Sequence, residues 1–205
     1  MKQARIFGGA FLAMGLLAGC QTAQEVNDEY EKYAKESPAA EVIVSGDKAI
    51  DAIAVASARV SEQTNQMLKD YVAKTNVKYR HFCGAMQQKM EDQKMSEAEA
   101  FKAIRNEYMA TDAGKAEWKD VEVGIKVNAL NSEQKLAQIT PLLASSKEIA
   151  KNASSLKDSF KGFDPSSIKK AASVKKVIEQ AEDSGNALYF LQRFYTMNAA
   201  IPKSN

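Results

Sequence analysis

The chain has 205 residues, of which 45% are hydrophobic and 26% are charged. These are ordinary values for a globular domain, so they exclude an intrinsically disordered chain, a collagen-like repeat and a small disulfide-stapled scaffold. The 28 basic and 26 acidic residues nearly cancel, which gives no reason to expect a nucleic-acid partner.

The first 19 residues have the composition of an export signal. Lys2 and Arg5 are followed by a run without charge over residues 6–19. This run is shorter than the roughly 20 apolar residues that a membrane-spanning helix needs. A basic start, a short apolar core and small residues at the end are typical of a cleaved secretory signal. We therefore expect residues 1–19 to be removed.

The end of this signal, Leu17-Ala18-Gly19-Cys20, resembles the lipobox of bacterial lipoproteins. The resemblance implies cleavage between Gly19 and Cys20, a diacylglycerol on the Cys20 thiol and an acylated new N-terminus. Several acyl chains anchor a protein stably, because each buried methylene contributes about 0.8 kcal/mol. In a Gram-negative cell, Gln21 implies the outer membrane, on the side facing the periplasm. The resemblance covers these 20 residues only, and no family is recognised for the mature domain.

Removal of the signal changes the charge and cysteine counts. Without Lys2 and Arg5, the 28 basic residues become 26 and balance the 26 acidic ones. If Cys20 carries lipid, Cys83 is the one remaining cysteine, so no intramolecular disulfide is possible. We expect Cys83 to be a buried apolar side chain rather than a reactive thiol.

Residues 20–40 are rich in acids and poor in apolar side chains. They predict a lipidated N-terminus followed by a disordered, flexible tether, which would span about 25 Å. The mature domain is expected over residues 41–205.

Helical patterns dominate this domain. Apolar and small residues recur at steps of three and four in Ile50, Ile53, Ser57, Val60, Thr64, Met67 and Tyr71, as on a helix close to a coiled-coil seam. Ser96 and Glu99 form a capping-box pattern, and Asp164-Pro165 is a typical helix start. The sequence predicts an all-α, partly coiled-coil-like bundle of four to six helices.

Catalytic and cofactor motifs are not found in the sequence. His81 is the one histidine, which excludes zinc and di-iron sites that need two, and no phosphate-binding glycine loop can be formed from the scattered glycines. We therefore expect no enzymatic activity and no cofactor, although carboxylates and tyrosines can perform acid–base chemistry without histidine.

Two stretches are candidates for binding. Cys83, Met86 and Met90 carry soft sulfur ligands on one side of a predicted helix, which suits Cu(I), but methionine also fills core gaps. Residues 187–201 contain one charge and four aromatic side chains, Tyr189, Phe190, Phe194 and Tyr195. Such a helix is most often central and buried; a ligand or partner face and contact with lipid are the alternatives.

These observations lead to a primary hypothesis and its rivals. The chain is interpreted as an extracytoplasmic lipoprotein that acts as a non-catalytic envelope scaffold or accessory subunit, through a helical face that contacts another envelope protein or a second copy. The alternative is a lipid-anchored module that binds an apolar or aromatic small molecule. An enzyme of unrecognised type is the third interpretation.

Overall fold

The computed structural model describes residues 23–157, 160 and 164–201. Within these ranges the chain forms helices and no strand, which confirms the all-α prediction. The helices are α1 (Ala23–Lys35), α2 (Lys48–Lys74), α3 (Val77–Asp92), α4 (Glu97–Met109), α5 (Asp112–Ala129), α6 (Ser132–Lys157) and α7 (Pro165–Ala200). Seven helices lie in the described residues: α2–α7 fall within the predicted domain of residues 41–205, and α1 falls within the predicted tether.

Helix α1 lies in the predicted tether, before the predicted domain. Tyr30 and Tyr33 are buried in the core, and the Tyr71 hydroxyl donates a hydrogen bond to the Tyr30 carbonyl oxygen at 3.1 Å. The prediction of a flexible tether over residues 20–40 is thus wrong for residues 23–35. The physical reason is that two tyrosines bury enough area to fix a helix that is otherwise acidic and polar.

A break in the helical backbone separates α2 from α3. Thr75 leaves the helical conformation, with φ −125° and ψ 138°, and the Asn76 side chain then caps α3 by accepting a hydrogen bond from the Tyr79 backbone N–H at 2.8 Å. The predicted stripe of α2 is buried as expected, except for the half-buried Ile53. Coiled-coil packing of this stripe stays a prediction.

The longest helix, α7, is the centre of the fold and packs against α2, α4, α5 and α6. Its Phe190 and Phe194 rings meet Tyr30 of α1 and Tyr71 of α2 edge to face, with centroids 5.0–6.3 Å apart. A second aromatic group, Phe82, Phe101, Tyr108 and Trp118, joins α3, α4 and α5. Tyr79 of α3 links this second group to α7, because its ring contacts both Phe82 and Phe194. Edge-to-face rings add to the free energy of apolar burial, so the two groups together hold the outer helices on α7.

Candidate functional site

The predicted lipid-attachment site lies outside the described residues. Gly19 and Cys20, as cleavage and acylation sites, therefore remain predictions. Within the described residues no helix is both long enough and apolar enough to cross a membrane.

The aromatic residues of α7 do not form a common exposed face. Phe190, Phe194 and Tyr195 are buried, whereas Tyr189 is exposed and its ring lies 5.1 Å from the Arg193 guanidinium. The interpretation of this stretch as a core helix is confirmed for the three buried residues. Because these three side chains are buried, they do not form an exposed partner-binding face together with Tyr189.

The sulfur-containing residues of α3 have different environments. Cys83 and Met86 are fully buried, and Met90 is half-buried. Burial raises the pKa of the Cys83 thiol far above its ordinary value, although hydrogen bonds with Tyr79 and Asn198 oppose this. A thiol held in this form is a poor metal ligand and nucleophile. The prediction that Cys83 is buried is confirmed.

A groove of about 240 Å³ opens between α3, α4 and α7. Its apolar side chains are Met90 and Met197, and the other lining residues are polar or charged: Gln87, Glu91, Glu97, Gln192, Arg193 and Thr196. Three of these already have partners, because Arg193 pairs with Glu29 at 2.5 Å and Gln87 donates a hydrogen bond to Glu91 at 2.9 Å. The volume is slightly below the range of about 300–1,000 Å³ that is typical of ligand pockets.

A more prominent feature is an apolar stripe on the solvent side of α5. Val123, Val127 and Leu130 are 59%, 37% and 80% exposed. At 100° per residue they lie within about 60° of one another. The buried side chains of α5, among them Trp118 and Val121, lie on the opposite side. The helix is therefore apolar on two sides, and one of them has no covering element in the described part of the chain.

The junction between α2 and α3 packs beside this stripe. The Asn76 side chain donates to the Asp120 carbonyl oxygen at 3.2 Å, and the Asn128 side chain donates to the Lys74 carbonyl oxygen at 3.0 Å. These contacts fix the start of α3 against α5. We call Val123, Val127 and Leu130 together the α5 outer face.

Two lysines border this face on one side. Lys119 and Lys126 are exposed, and neither forms an ion pair with any described residue. An acidic group of a bound partner would therefore meet free ammonium groups along this border.

The buried side of α5 includes Trp118, Val121 and Ile125, whereas the exposed outer face was not identified from the sequence. The signal was present in the steps of four and three between Val123, Val127 and Leu130. Such spacing indicates an apolar helix face without indicating whether the chain itself covers it.

Comparison with known proteins gives no relative. No family model matches the chain, and no curated protein or solved structure shows significant similarity to it.

Proposed function

We propose that this chain is a lipid-anchored, extracytoplasmic lipoprotein and a non-catalytic accessory subunit of an envelope assembly, which contacts its partner through the α5 outer face. The observation that carries the proposal is the exposed stripe of Val123, Val127 and Leu130. Contiguous exposed apolar surface is typical of interaction sites, and aliphatic side chains at helical spacing suit a helix of the partner.

The partner we propose is an amphipathic helix that carries acidic residues beside its apolar stripe. Lys119 and Lys126 would meet those acids along one border of the α5 outer face. A second copy of this chain fits less well, because an antiparallel pair would bring the lysine borders of the two α5 helices together, and opposed like charges disfavour association.

The anchor is tested by replacing its thiol. We expect the full-length protein to sediment with membranes and to carry a diacylglycerol on Cys20, as read by mass spectrometry of the mature N-terminus. The Cys20→Ser variant should appear in the soluble export fraction. Sedimentation of this variant with membranes, or an unprocessed N-terminus in the wild type, would contradict the lipid anchor.

The interaction face is tested with a matched pair of variants. Val127 and Val55 are both 37% exposed, on α5 and α2 respectively, so glutamate at either position has a similar effect on the isolated domain. We expect Val127→Glu to remove a protein that co-purifies with the acylated wild type from its own envelope, and Val55→Glu to retain it. Equal retention or equal loss in the two variants would argue against the α5 outer face.

A second candidate function is favoured by the groove between α3, α4 and α7. Its Met90 and Met197 side chains surround space for a small apolar group, next to the aromatic part of α7. Native mass spectrometry of the protein from its own envelope would then reveal a retained ligand, and Met90→Trp, which fills the groove, would abolish it. The absence of any retained mass in the wild type would remove this candidate.

A further inference from the structure

We infer that acylated Cys20 holds one particular end of the bundle directly against the lipid headgroups: the end formed by the start of α1 and the last turns of α7. The inference rests on the proposed lipid anchor. Beyond the presence of an anchor, this orientation specifies which surface of the domain faces the bilayer.

The spacer between the lipid-bearing cysteine and the folded domain is short. Only Gln21 and Thr22 separate Cys20 from Ala23, where α1 begins. Three residue steps span at most about 11 Å when fully extended. The attachment point is therefore much closer to the folded domain than the roughly 25 Å expected of a flexible tether of 20 residues.

Helix α1 is fixed to the domain and does not lengthen the spacer. Tyr30 is 1% exposed. Ion pairs fix the helix on both sides, because the Arg80 Nε lies 2.7 Å from a Glu31 carboxylate oxygen and Arg193 contacts Glu29 at 2.5 Å. Releasing α1 would break these contacts and expose the tyrosine.

The start of α1 lies at the same end of the bundle as the last turns of α7. Glu29 contacts Arg193, and four residues later the Tyr33 ring stacks on Phe190 with a centroid distance of 4.6 Å. The two helices thus run antiparallel along this contact. The six residues from Glu29 back to Ala23 extend about 9 Å, towards Ala199 in the last turn of α7.

This orientation places the basic region of the chain away from the anchor. Residues 147–176 contain eight lysines and three acids, and Lys169 lies near the start of α7. Thirty residues of helix separate Lys169 from Ala199, a distance of about 45 Å. A domain that lay flat through electrostatic attraction would instead bring both ends of α7 to the bilayer.

The test measures the distance of each end from the bilayer in the full-length, acylated protein. Ala199→Cys and Lys169→Cys are exposed positions for a fluorescent label, and the buried Cys83 does not compete for it. The labelled proteins are reconstituted in phosphatidylcholine vesicles with a headgroup quencher, with and without anionic lipid. A third protein carries 20 Gly/Ser residues between Thr22 and Ala23.

We expect strong quenching at Ala199 and weak quenching at Lys169, with the strong signal reduced to the level of Lys169 by the inserted linker. Equal quenching at the two positions, or a signal at Ala199 that the linker leaves unchanged, overturns the inference while the protein still sediments with the vesicles. Quenching at Lys169 that requires anionic lipid and disappears in high salt also overturns it, in favour of a flat orientation. Failure of the wild type to carry lipid overturns the anchor itself.

Discussion

The buried tyrosine hydroxyls differ in what they contact. Those of Tyr30, Tyr71 and Tyr79 each donate a hydrogen bond to an amide or carbonyl oxygen, whereas the Tyr195 hydroxyl has no partner among the described residues. Burial raises the pKa of all four above the ordinary value of tyrosine. At neutral pH they are neutral groups of the core, and acid–base chemistry by them is not favoured.

This difference makes opposite predictions for two similar variants. Tyr71→Phe removes the hydrogen bond to the Tyr30 carbonyl oxygen and should lower the free energy of unfolding by about 1 kcal/mol. Tyr195→Phe removes a buried hydroxyl without a partner and should leave the free energy unchanged or raise it by about 1 kcal/mol. Urea unfolding of both variants measures this, and an equal loss in the two would show that the Tyr195 hydroxyl has a partner in solution.

The ion pair between Glu31 and Arg80 predicts a pH dependence. The hydrogen bond from the Arg80 side chain to the Glu31 carboxylate is the main cause that lowers the pKa of Glu31. A carboxylate whose pKa is lower in the folded state than in the unfolded state adds to the free energy of unfolding. This contribution is complete above the ordinary pKa of about 4.3 and is lost as the pH falls through the folded-state pKa.

We therefore expect Glu31→Gln to lower the free energy of unfolding by about 1 kcal/mol at neutral pH. The difference from the wild type should shrink as the pH falls from about 5 to about 3. Urea unfolding across this range is the measurement, with Glu36→Gln as an exposed control on the segment that follows α1. A difference that does not change with pH would contradict the assignment.

Individual helices were predictable where local chemistry and burial agree. The α2 stripe and the capping box of Ser96 and Glu99 appear as expected, and Asp164 caps α7 through the Ser166 and Ser167 N–H groups. In α1 the apolar signal is reduced to a few residues, so only the tertiary contacts of Tyr30 and Tyr33 reveal a packed helix. In α5 both sides carry an apolar pattern, and the sequence does not indicate which side the domain covers.

The status of α1 as an integral helix is open to a direct stability test. Tyr30→Ala removes a fully buried aromatic side chain and should lower the free energy of unfolding by about 3–5 kcal/mol. Lys35→Ala, at an exposed position of the same helix, should change it by less than about 0.5 kcal/mol. If both changes are equally small in urea unfolding, residues 23–35 behave as a tether.

At the scale of the whole molecule, the described features divide between two surfaces. In the proposed orientation the start of α1 and the end of α7 would lie nearest to the bilayer, while the α5 outer face offers exposed aliphatic side chains beside two lysines without an ion pair among the described residues. The aromatic clusters that join α1 through α5 to α7 hold these surfaces in a fixed relation. A subunit built in this way would present one helix to its partner at a set height above the bilayer.

The most direct test of this account is photo-crosslinking in the native envelope, with a photoreactive amino acid placed at Val127 or, as a control of equal exposure, at Val55. The account predicts one discrete adduct at Val127 and none at Val55, with the crosslinked peptide of the partner carrying acidic residues beside an apolar stripe. The double variant Lys119→Glu/Lys126→Glu should abolish that adduct. The same adduct at Val55, or an adduct with a second copy of this chain, would contradict it.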